Sequence, residues 1–400
     1  MNLSLAAWRN ILLGAVFALL VVGAIAIYSA SGVRADLRYQ DDTLFLRKHL
    51  HELLLGLVLM VGLAIVPPGV LRKSGAIVLI AAELMLVAVL IPGIGKEYHG
   101  SRRWFSLAGT SFQPSEFAKI ALLVFLAGRV AGKKRRELAR FWPAAAIPIA
   151  AVILTALLIE REPDKSTAFF IVLVGSLILA VGGVRIKHLA MSYGALLLVV
   201  LLLVGVAALA GKGEAIKKQY AYVVARITVA DEYQVEQSLS ALASGKATGV
   251  GPGGGLLQLG YLPMADSDFI FAIIGQDAGF LGTLGVIALF ALFVLSGLNI
   301  AFRTPERFPA LLCFGLTAGI GLQAAIHIAV VSAVVPTTGI ALPFISRGGS
   351  AMMMALASVG IVMSIARASA QGRNVKKRRV VARSVTSRRK KITAKNFAHR

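Results

Sequence analysis

The chain of 400 residues has 57% hydrophobic and only 15% charged residues, with a mean hydropathy of +0.79, so it carries more apolar surface than a soluble core can bury. Its formal net charge is +23, but the excess cations stand in short runs between apolar blocks and in a polar tail, so nucleic acid is not an expected partner. Cys313 is the single cysteine and the six histidines are scattered, so the sequence offers no intrachain disulfide and no cysteine or histidine metal site.

Apolar blocks of about 17 to 25 residues follow one another along the chain, and each is long enough to cross a hydrocarbon core as an α-helix. Barrel strands would instead alternate polar and apolar residues over about ten positions. We therefore predict an all-α polytopic membrane protein with about ten transmembrane helices and one long extracytoplasmic loop. The first block exceeds the apolar run of a signal peptide, so we expect it to be a retained span. The predicted spans cover residues 10–30, 49–67, 75–93, 113–131, 142–159, 167–183, 189–210, 269–299, 308–332 and 342–366.

The connections between these spans alternate in charge, and every second one is basic, as at Lys133–Arg136. By the positive-inside rule, both termini are cytoplasmic and the chain is expected in the cytoplasmic (inner) membrane. Residues 1–367 are predicted to form the membrane domain, with the long outer loop at about 211–267. The basic segment 368–400 is predicted to be a disordered cytoplasmic tail that acts as an orientation signal, with docking of cytoplasmic partners as the alternative.

Charged residues on either side of residue 110 are the first candidates for a functional site. Pro114 suits the first position of a helix, and Lys119 falls on the same helix face as Glu116. A charged pair just inside a membrane helix is costly unless it is paired or lines a cavity, so it is a functional candidate, with a structural salt bridge as the alternative. Arg102 and Arg103 lie at the level of lipid headgroups, so specific pyrophosphate binding and unspecific phosphate contact both stay open.

Asp268 ends the long loop and adjoins an apolar helix. Partial desolvation there raises the pKa of a carboxylate and makes it a better proton acceptor, although a helix N-cap explains an aspartate at this position equally well. The glycine-rich segment 249–255 contains a G-x-G-x-x-G match, but no strand precedes it, so no nucleotide is expected. Prolines and glycines within 336–350 indicate non-helical backbone that lines a cavity or is buried in protein.

These clusters, together with Tyr233–Leu239, resemble the SEDS family (shape, elongation, division and sporulation), which includes the FtsW and RodA proteins. The resemblance extends to about residue 367. It implies a ten-helix peptidoglycan glycosyltransferase that polymerises lipid II into glycan strands on the outer face of the cytoplasmic membrane, during cell division or cell-wall elongation. The implied partners are a class B penicillin-binding transpeptidase and other divisome or elongasome proteins, and the basic tail and Leu342–Ser346 favour the FtsW-like, septal branch.

The family's essential aspartate falls on Asp268, and the resemblance implies that it is the catalytic base of an inverting transfer. It would remove the proton from the 4-hydroxyl of the acceptor sugar while undecaprenyl pyrophosphate leaves C1 of the donor. Arg102, Arg103 and Lys119 would supply positive charge to the pyrophosphate, and a divalent cation, Mg or Mn, is a candidate cofactor with unidentified ligands. Glu116 would orient Lys119. The other residues expected to bind substrate are Gln237, Ser346, Gly348, Gly349 and Ser350.

Several positions depart from the family pattern. Met264 and Asp266 stand where Glu and His are usual, and Arg347 stands where Tyr is usual. Two other functions stay open. A lipid II flippase or other transporter needs charges along a path through the bilayer, whereas the candidate residues gather at one mouth. A non-catalytic divisome scaffold would be indifferent to loss of the Asp268 carboxylate.

Overall fold

The computed structural model describes residues 3–98, 101–107, 110–207, 232–255 and 264–371, which form a helix bundle with one small sheet. The described helices are α1 (Leu5–Tyr39), α2 (Leu44–Ile65), α3 (Pro68–Leu90), α4 (Pro114–Ala131), α5 (Arg135–Leu138), α6 (Ala146–Arg161), α7 (Lys165–Val181), α8 (Ile186–Ala207), α9 (Glu232–Ser244), α10 (Ile270–Arg303), α11 (Arg307–Val331) and α12 (Gly349–Gln371). A π-helix at Phe141–Ala145 precedes α6. The strands are β1 (Lys96–Tyr98), β2 (Ser101–Leu107) and β3 (Thr110–Phe112).

Each of the ten predicted apolar blocks coincides with a described helix. Among the described helices, α1, α2, α3, α10, α11 and α12 are long and apolar enough to cross a membrane, and α7 and α8 contain shorter apolar helices. The helical polytopic prediction is therefore confirmed, while the count of ten crossings stays a prediction. The last block becomes helical at Gly349 and not at residue 342, because the chain first makes a turn in which Phe344 has a φ of 66°.

Parts of two predicted segments lie outside the described residues. They are 211–231 and 256–263 of the predicted outer loop and 372–400 of the predicted tail. The described part of the tail continues α12 as far as Gln371.

The bundle has two ends that differ in chemistry. One end holds Asp268 and is called the site end; there α1 ends and α2, α4, α7 and α12 begin. The other end carries several arginines and is called the basic end; there α2 and α4 end and α11 begins. At the basic end, Arg307 donates to the carbonyls of Lys133 and Gly182, both at 2.7 Å, and Arg367 donates to Ile65 O at 2.9 Å. The last carbonyls of a helix have no partner inside it, and a cation there also complements the helix dipole. These arginines therefore tie helix C-termini to one another.

Helix α12 lies at the centre of the bundle. Of its most apolar stretch of 18 residues, 89% is buried, whereas the corresponding share in α2 is 11%. Small residues allow the helices to approach closely, as is usual between membrane helices. A Cβ atom on Gly360 of α12 would lie 2.3 Å from Met60 O of α2, and one on Gly23 of α1 would lie 2.7 Å from Phe344 O. Along the other side, α1 packs on α10 and α10 packs on α11.

Helix α10 is broken at Gly279, whose φ of 66° and ψ of −163° are not helical. The glycine-rich segment 245–255 inserts at this break and takes over the backbone hydrogen bonds that the helix loses. A Cβ atom on Gly279 would lie 2.4 Å from Gly249 N, so the close approach requires glycine. The bridging hydrogen bonds run from Phe280 N to Lys246 O (2.8 Å), Leu281 N to Ala247 O (3.1 Å), Val250 N to Gln276 O (3.0 Å) and Gly251 N to Asp277 O (3.0 Å).

The three strands form an antiparallel sheet with β2 in the middle. Its register places Glu97 opposite Arg102, and their side chains form an ion pair of 3.0 Å. Successive strand residues point to opposite faces, so Arg103 points away from this pair. The sheet was not predicted, because β1 and β3 have only three residues each and show no apolar alternation.

Candidate active site

Asp268 lies in a turn at residues 264–269, directly before α10. Its backbone N–H donates to Met264 O at 3.0 Å, and its side chain is half-buried. The residue that caps α10 is Phe269, which makes no side-chain cap. The helix N-cap alternative for Asp268 is therefore wrong, and its carboxylate is directed elsewhere: Oδ2 would lie 3.8 Å from a Cβ atom on Gly339.

The surroundings of Asp268 make its carboxylate a stronger base than an exposed aspartate. Burial, with a smaller contribution from the carboxylates of Asp266 and Asp164, raises the pKa of Asp268 to about 6, against the opposing effect of a hydrogen bond with Ser267. At neutral pH most of this group is ionised, yet it holds a proton far better than a free aspartate. This is the range in which a general base works near physiological pH.

The predicted pair of Glu116 and Lys119 is confirmed, with an N–O distance of 2.8 Å and side chains only 12% and 14% exposed. Pro114 is the first residue of α4, as predicted. Lys119 Nζ also donates to Gln323 Oε1 of α11 at 3.1 Å, and Gln323 Nε2 donates to Ala341 O at 2.9 Å. A hydrogen-bonded line thus runs from α4 through α11 to the segment that contains Gly339.

Arg103 binds the turn between α6 and α7. Its guanidinium donates to Glu162 O at 2.7 Å and to Pro163 O at 2.6 Å, and Nη1 lies 3.7 Å from Asp164 Oδ2. Asp164 also accepts from Thr167 N at 3.1 Å and so caps α7. Arg103 therefore holds one wall of the site in place, and 27% of its side chain stays exposed. The structure does not bring Arg102 into this contact, since Arg102 pairs with Glu97.

Glu162 is fully buried beside Arg103, and neither of its carboxylate oxygens has a hydrogen-bond partner. Burial and the nearby Asp164 raise the pKa of Glu162 to about 9, against the opposing charge of Arg103. The group is therefore a neutral acid at pH 7.

Two serines that were predicted to bind substrate fasten the last non-helical segment to the rest of the site. Ser346 Oγ donates to Ser267 O at 2.6 Å, next to Asp268. Ser350 Oγ accepts from Gln113 N at 2.7 Å and donates to Ser111 O at 3.0 Å.

The glycines predicted with these serines lie at the start of α12, and Gln237 lies on α9. A Cβ atom on Gly349 would lie 2.6 Å from Glu52 Oε1, whereas Gly348 has room for one. Gln237 is half-buried on α9, which Ser238 fixes to α11 through a 2.8 Å hydrogen bond to Val331 O. Substrate binding by these residues stays a prediction.

An amphiphilic cavity of about 570 Å³, counting the space at its open mouth, adjoins this line of contacts. Glu116, Lys119 and Gln323 form its polar part. Lys119 Nζ lies 5.3 Å from the centre of the Phe170 ring. The rest of the wall is mostly apolar and comes from α4, α7, α11 and α12, with Leu123, Ile171, Val174, Leu316, Ile320 and Met354 among its residues.

Comparison with known proteins places these features in a family. Residues 10–371 match the model of the FtsW, RodA and SpoVE cell cycle proteins. The chain belongs to this family. Stage V sporulation protein E of Bacillus subtilis is 31% identical over 361 residues, which are 88% of this chain and 94% of that protein. A probable peptidoglycan glycosyltransferase FtsW of Saccharophagus degradans is 35% identical over 355 residues, with coverage of 87% and 89%.

Solved structures of the same family have the same fold. A chain from a peptidoglycan synthase complex that coordinates polymerization and crosslinking matches with a TM-score of 0.73 and 26% identity, covering 90% of this chain and 97% of that one. The rod shape determining protein RodA of Thermus thermophilus matches with a TM-score of 0.65 and 25% identity, with coverage of 90% and 96%. The resemblance noted in the sequence is thus confirmed at the level of family and fold.

The divalent cation that the resemblance suggests stays a prediction, and the described residues do not identify its ligands. Within the described ranges, no three His, Cys, Asp or Glu side chains converge in a way that could hold a metal ion. We therefore assign no step to a cation.

The structure places two residues in the site that were not predicted there, Asp164 and Gln323. Gln323 carried a usable signal, because an amide in the middle of an apolar block is costly unless it has a partner. Asp164 resembled any other acid in a loop, whereas Gly339 lies in the segment 336–350 that was predicted to line a cavity or to be buried.

Proposed function

We propose that the protein is a peptidoglycan glycosyltransferase that polymerises lipid II, with Asp268 as general base. The position of Asp268 carries this proposal: it is a half-buried carboxylate with a pKa near 6, free of any capping role, at the head of α10. Relatives that match most of this chain at 31 to 35% identity carry the name probable peptidoglycan glycosyltransferase. Both observations point to sugar transfer and not to recruitment alone.

The reaction needs one proton acceptor and one place for negative charge. The 4-hydroxyl oxygen of the acceptor sugar attacks C1 of the donor, its proton passes to the Asp268 carboxylate, and the bond from C1 to the pyrophosphate oxygen breaks. The undecaprenyl pyrophosphate leaves with the bonding electron pair, and Asp268 later releases the proton to water. General base catalysis of this kind contributes about 10²- to 10⁴-fold to the rate.

The amphiphilic cavity suits a substrate with a charged head and a long isoprenoid chain. Lys119 supplies a cation at its polar part, and the side chain is only 14% exposed, so water screens its charge little. The apolar walls from α7 and α12 would receive the first isoprene units, as a ligand cavity is mostly apolar with few polar groups.

The basic end of the bundle supports the orientation that we propose. With that end in the cytoplasm, both termini are cytoplasmic, Asp268 lies on the outer side of the inner membrane, and lipid II reaches it after translocation. The related chain solved within a peptidoglycan synthase complex supports a partner synthase, which we propose to be a class B penicillin-binding transpeptidase of the septal machinery.

The test uses purified full-length protein with its transpeptidase and lipid II. Asp268→Asn is expected to abolish glycan polymerisation, while Asp36→Asn, which neutralises an exposed acid at the same end of the bundle, keeps it. Full polymerisation by Asp268→Asn would refute the base and favour a scaffold. Transfer of labelled lipid II across vesicles without glycan synthesis would establish a flippase instead.

A further inference from the structure

The buried carboxylate of Asp266 pairs with two partly exposed arginines from two other parts of the chain, and the three residues form an ion triad. The side chain is 0% exposed, its Oδ1 lies 3.1 Å from Arg34 Nη2 of α1, and its Oδ2 lies 2.8 Å from Arg347 Nε. The backbone N–H of Arg347 also donates to Asp266 O at 2.9 Å. A fully desolvated carboxylate requires such partners, because removing one of them from a buried pair leaves a costly uncompensated charge.

The aromatic ring of Phe45 contacts both arginines of the triad. The guanidinium carbons of Arg347 and Arg34 lie 4.6 Å and 5.7 Å from the centre of the Phe45 ring of α2, within cation–π range. Lys48 Nζ lies 5.9 Å from the same ring. The triad therefore joins α1, α2, the turn before α10 and the segment before α12.

We propose that Arg34 and Arg347 are positioning residues for Asp268 and act on it through Asp266. Asp268 follows Asp266 by two residues in the same turn, and the residue between them accepts the 2.6 Å hydrogen bond from Ser346. The turn is thus fixed at Asp266 by the arginines and at Ser267 by the serine, which sets where the Asp268 carboxylate points. This inference rests on the proposed role of Asp268 as base.

The charges of the ion triad also affect the ionisation of Asp268. The carboxylates of Asp266 and Asp164 both raise the pKa of Asp268, beyond the effect of burial. Arg34 and Arg347 compensate the first of these carboxylates, and Arg103 lies 3.7 Å from the second. Removing Asp266 and removing an arginine must therefore shift the ionisation of Asp268 in opposite directions.

The test measures kcat/KM for lipid II polymerisation against pH, since its acid limb reports the ionisation of the base in the free enzyme. Asp266→Asn is expected to move the acid limb to lower pH by about one unit, since its carboxylate acts directly on Asp268. Arg347→Met and Arg34→Met act through Asp266 and are expected to move the limb to higher pH by less than that. Arg347→Lys keeps the charge and is expected to restore most of the wild-type profile.

A matched control removes a cation at the same end of the bundle without touching the triad. Arg47 pairs with Asp41 and is 64% exposed, so Arg47→Met is expected to leave the acid limb in place. Thermal stability of each variant is measured in parallel.

Opposite shifts in the Asp266 and arginine variants would support the proposal. Acid limbs that stay at the wild-type pH, or that all move in one direction while rates fall, would overturn it and leave the triad a purely structural contact. Asp268→Asn is included in the series: if it is inactive and the limbs do not shift, this inference alone fails, whereas an active Asp268→Asn means that the proposed base itself is wrong.

Discussion

Removing one partner of the Glu116–Lys119 pair is expected to destabilise the protein more than replacing both. The two side chains are 12% and 14% exposed, so Glu116→Gln leaves an ammonium group in a poorly hydrated place, with only amide oxygens and the Phe170 ring as partners. One-sided loss of a buried pair costs about 3 kcal/mol, whereas an apolar replacement of similar volume is close to neutral. The double variant Glu116→Gln, Lys119→Met carries no charge at either position, so it is expected to lose less free energy of unfolding than Glu116→Gln alone.

The chain provides its own probe for this measurement. Cys313 is the single cysteine and is fully buried in α11, so a thiol-reactive dye reports unfolding in detergent without background from other thiols. Glu116→Gln is expected to lower the apparent Tm by about 5 °C. Glu97→Gln breaks an ion pair whose members are 35% and 55% exposed, and as a control it should change Tm by less than about 1 °C. A double variant as unstable as the single one would refute the view that the stranded charge causes the loss.

Three further outcomes follow from the geometry. Gly279→Ala is expected to cost at least about 2 kcal/mol, read from the same dye assay, because the backbone there has φ 66° and a Cβ atom would clash with Gly249 N; an unchanged Tm would contradict the observed break. Polymerisation should fall as the pH drops through about 6, since the base must be ionised, and a flat rate between pH 5 and 8 would contradict the assignment of Asp268. Glu162 has a pKa raised to about 9, so the folded state keeps its proton while the unfolded chain loses it above about pH 4.5. Stability contributed by this group therefore declines as the pH rises from about 4.5 to 9, and Glu162→Gln should stabilise the protein more at pH 8 than at pH 5.

The helices of the bundle could be predicted because lipid imposes a minimum length on every apolar block, and all ten blocks became helices. Their ends could not be predicted in the same way. Helix α1 continues to Tyr39 and stops where Gln40 adopts a left-handed conformation, and α12 starts only after the turn at Phe344. A break inside an apolar block is invisible to hydropathy, since Gly279 changes the backbone without changing the polarity.

The site was partly predictable for a related reason. The pairing of Glu116 with Lys119 is local and follows from their spacing on one helix, whereas the contact of Lys119 with Gln323 joins positions 204 residues apart. Asp266 and Arg347 were recognised as separate departures from the family pattern. Their contact depends on the packing of the segment before α12 against the turn before α10, which no periodicity encodes.

The central position of α12 has a consequence for how the sequence can vary. Both α2 and α12 are long and apolar enough to cross a membrane, yet 11% of the most apolar stretch of α2 is buried, against 89% in α12. Most side chains of α2 lie on the outside of the bundle, where a lipid acyl chain would adapt to any apolar shape, whereas those of α12 face fixed neighbours inside it and must match them in volume. Systematic exchange of apolar residues for other apolar residues should therefore be tolerated along α2 and selected against along α12, although both helices have a similar apolar character.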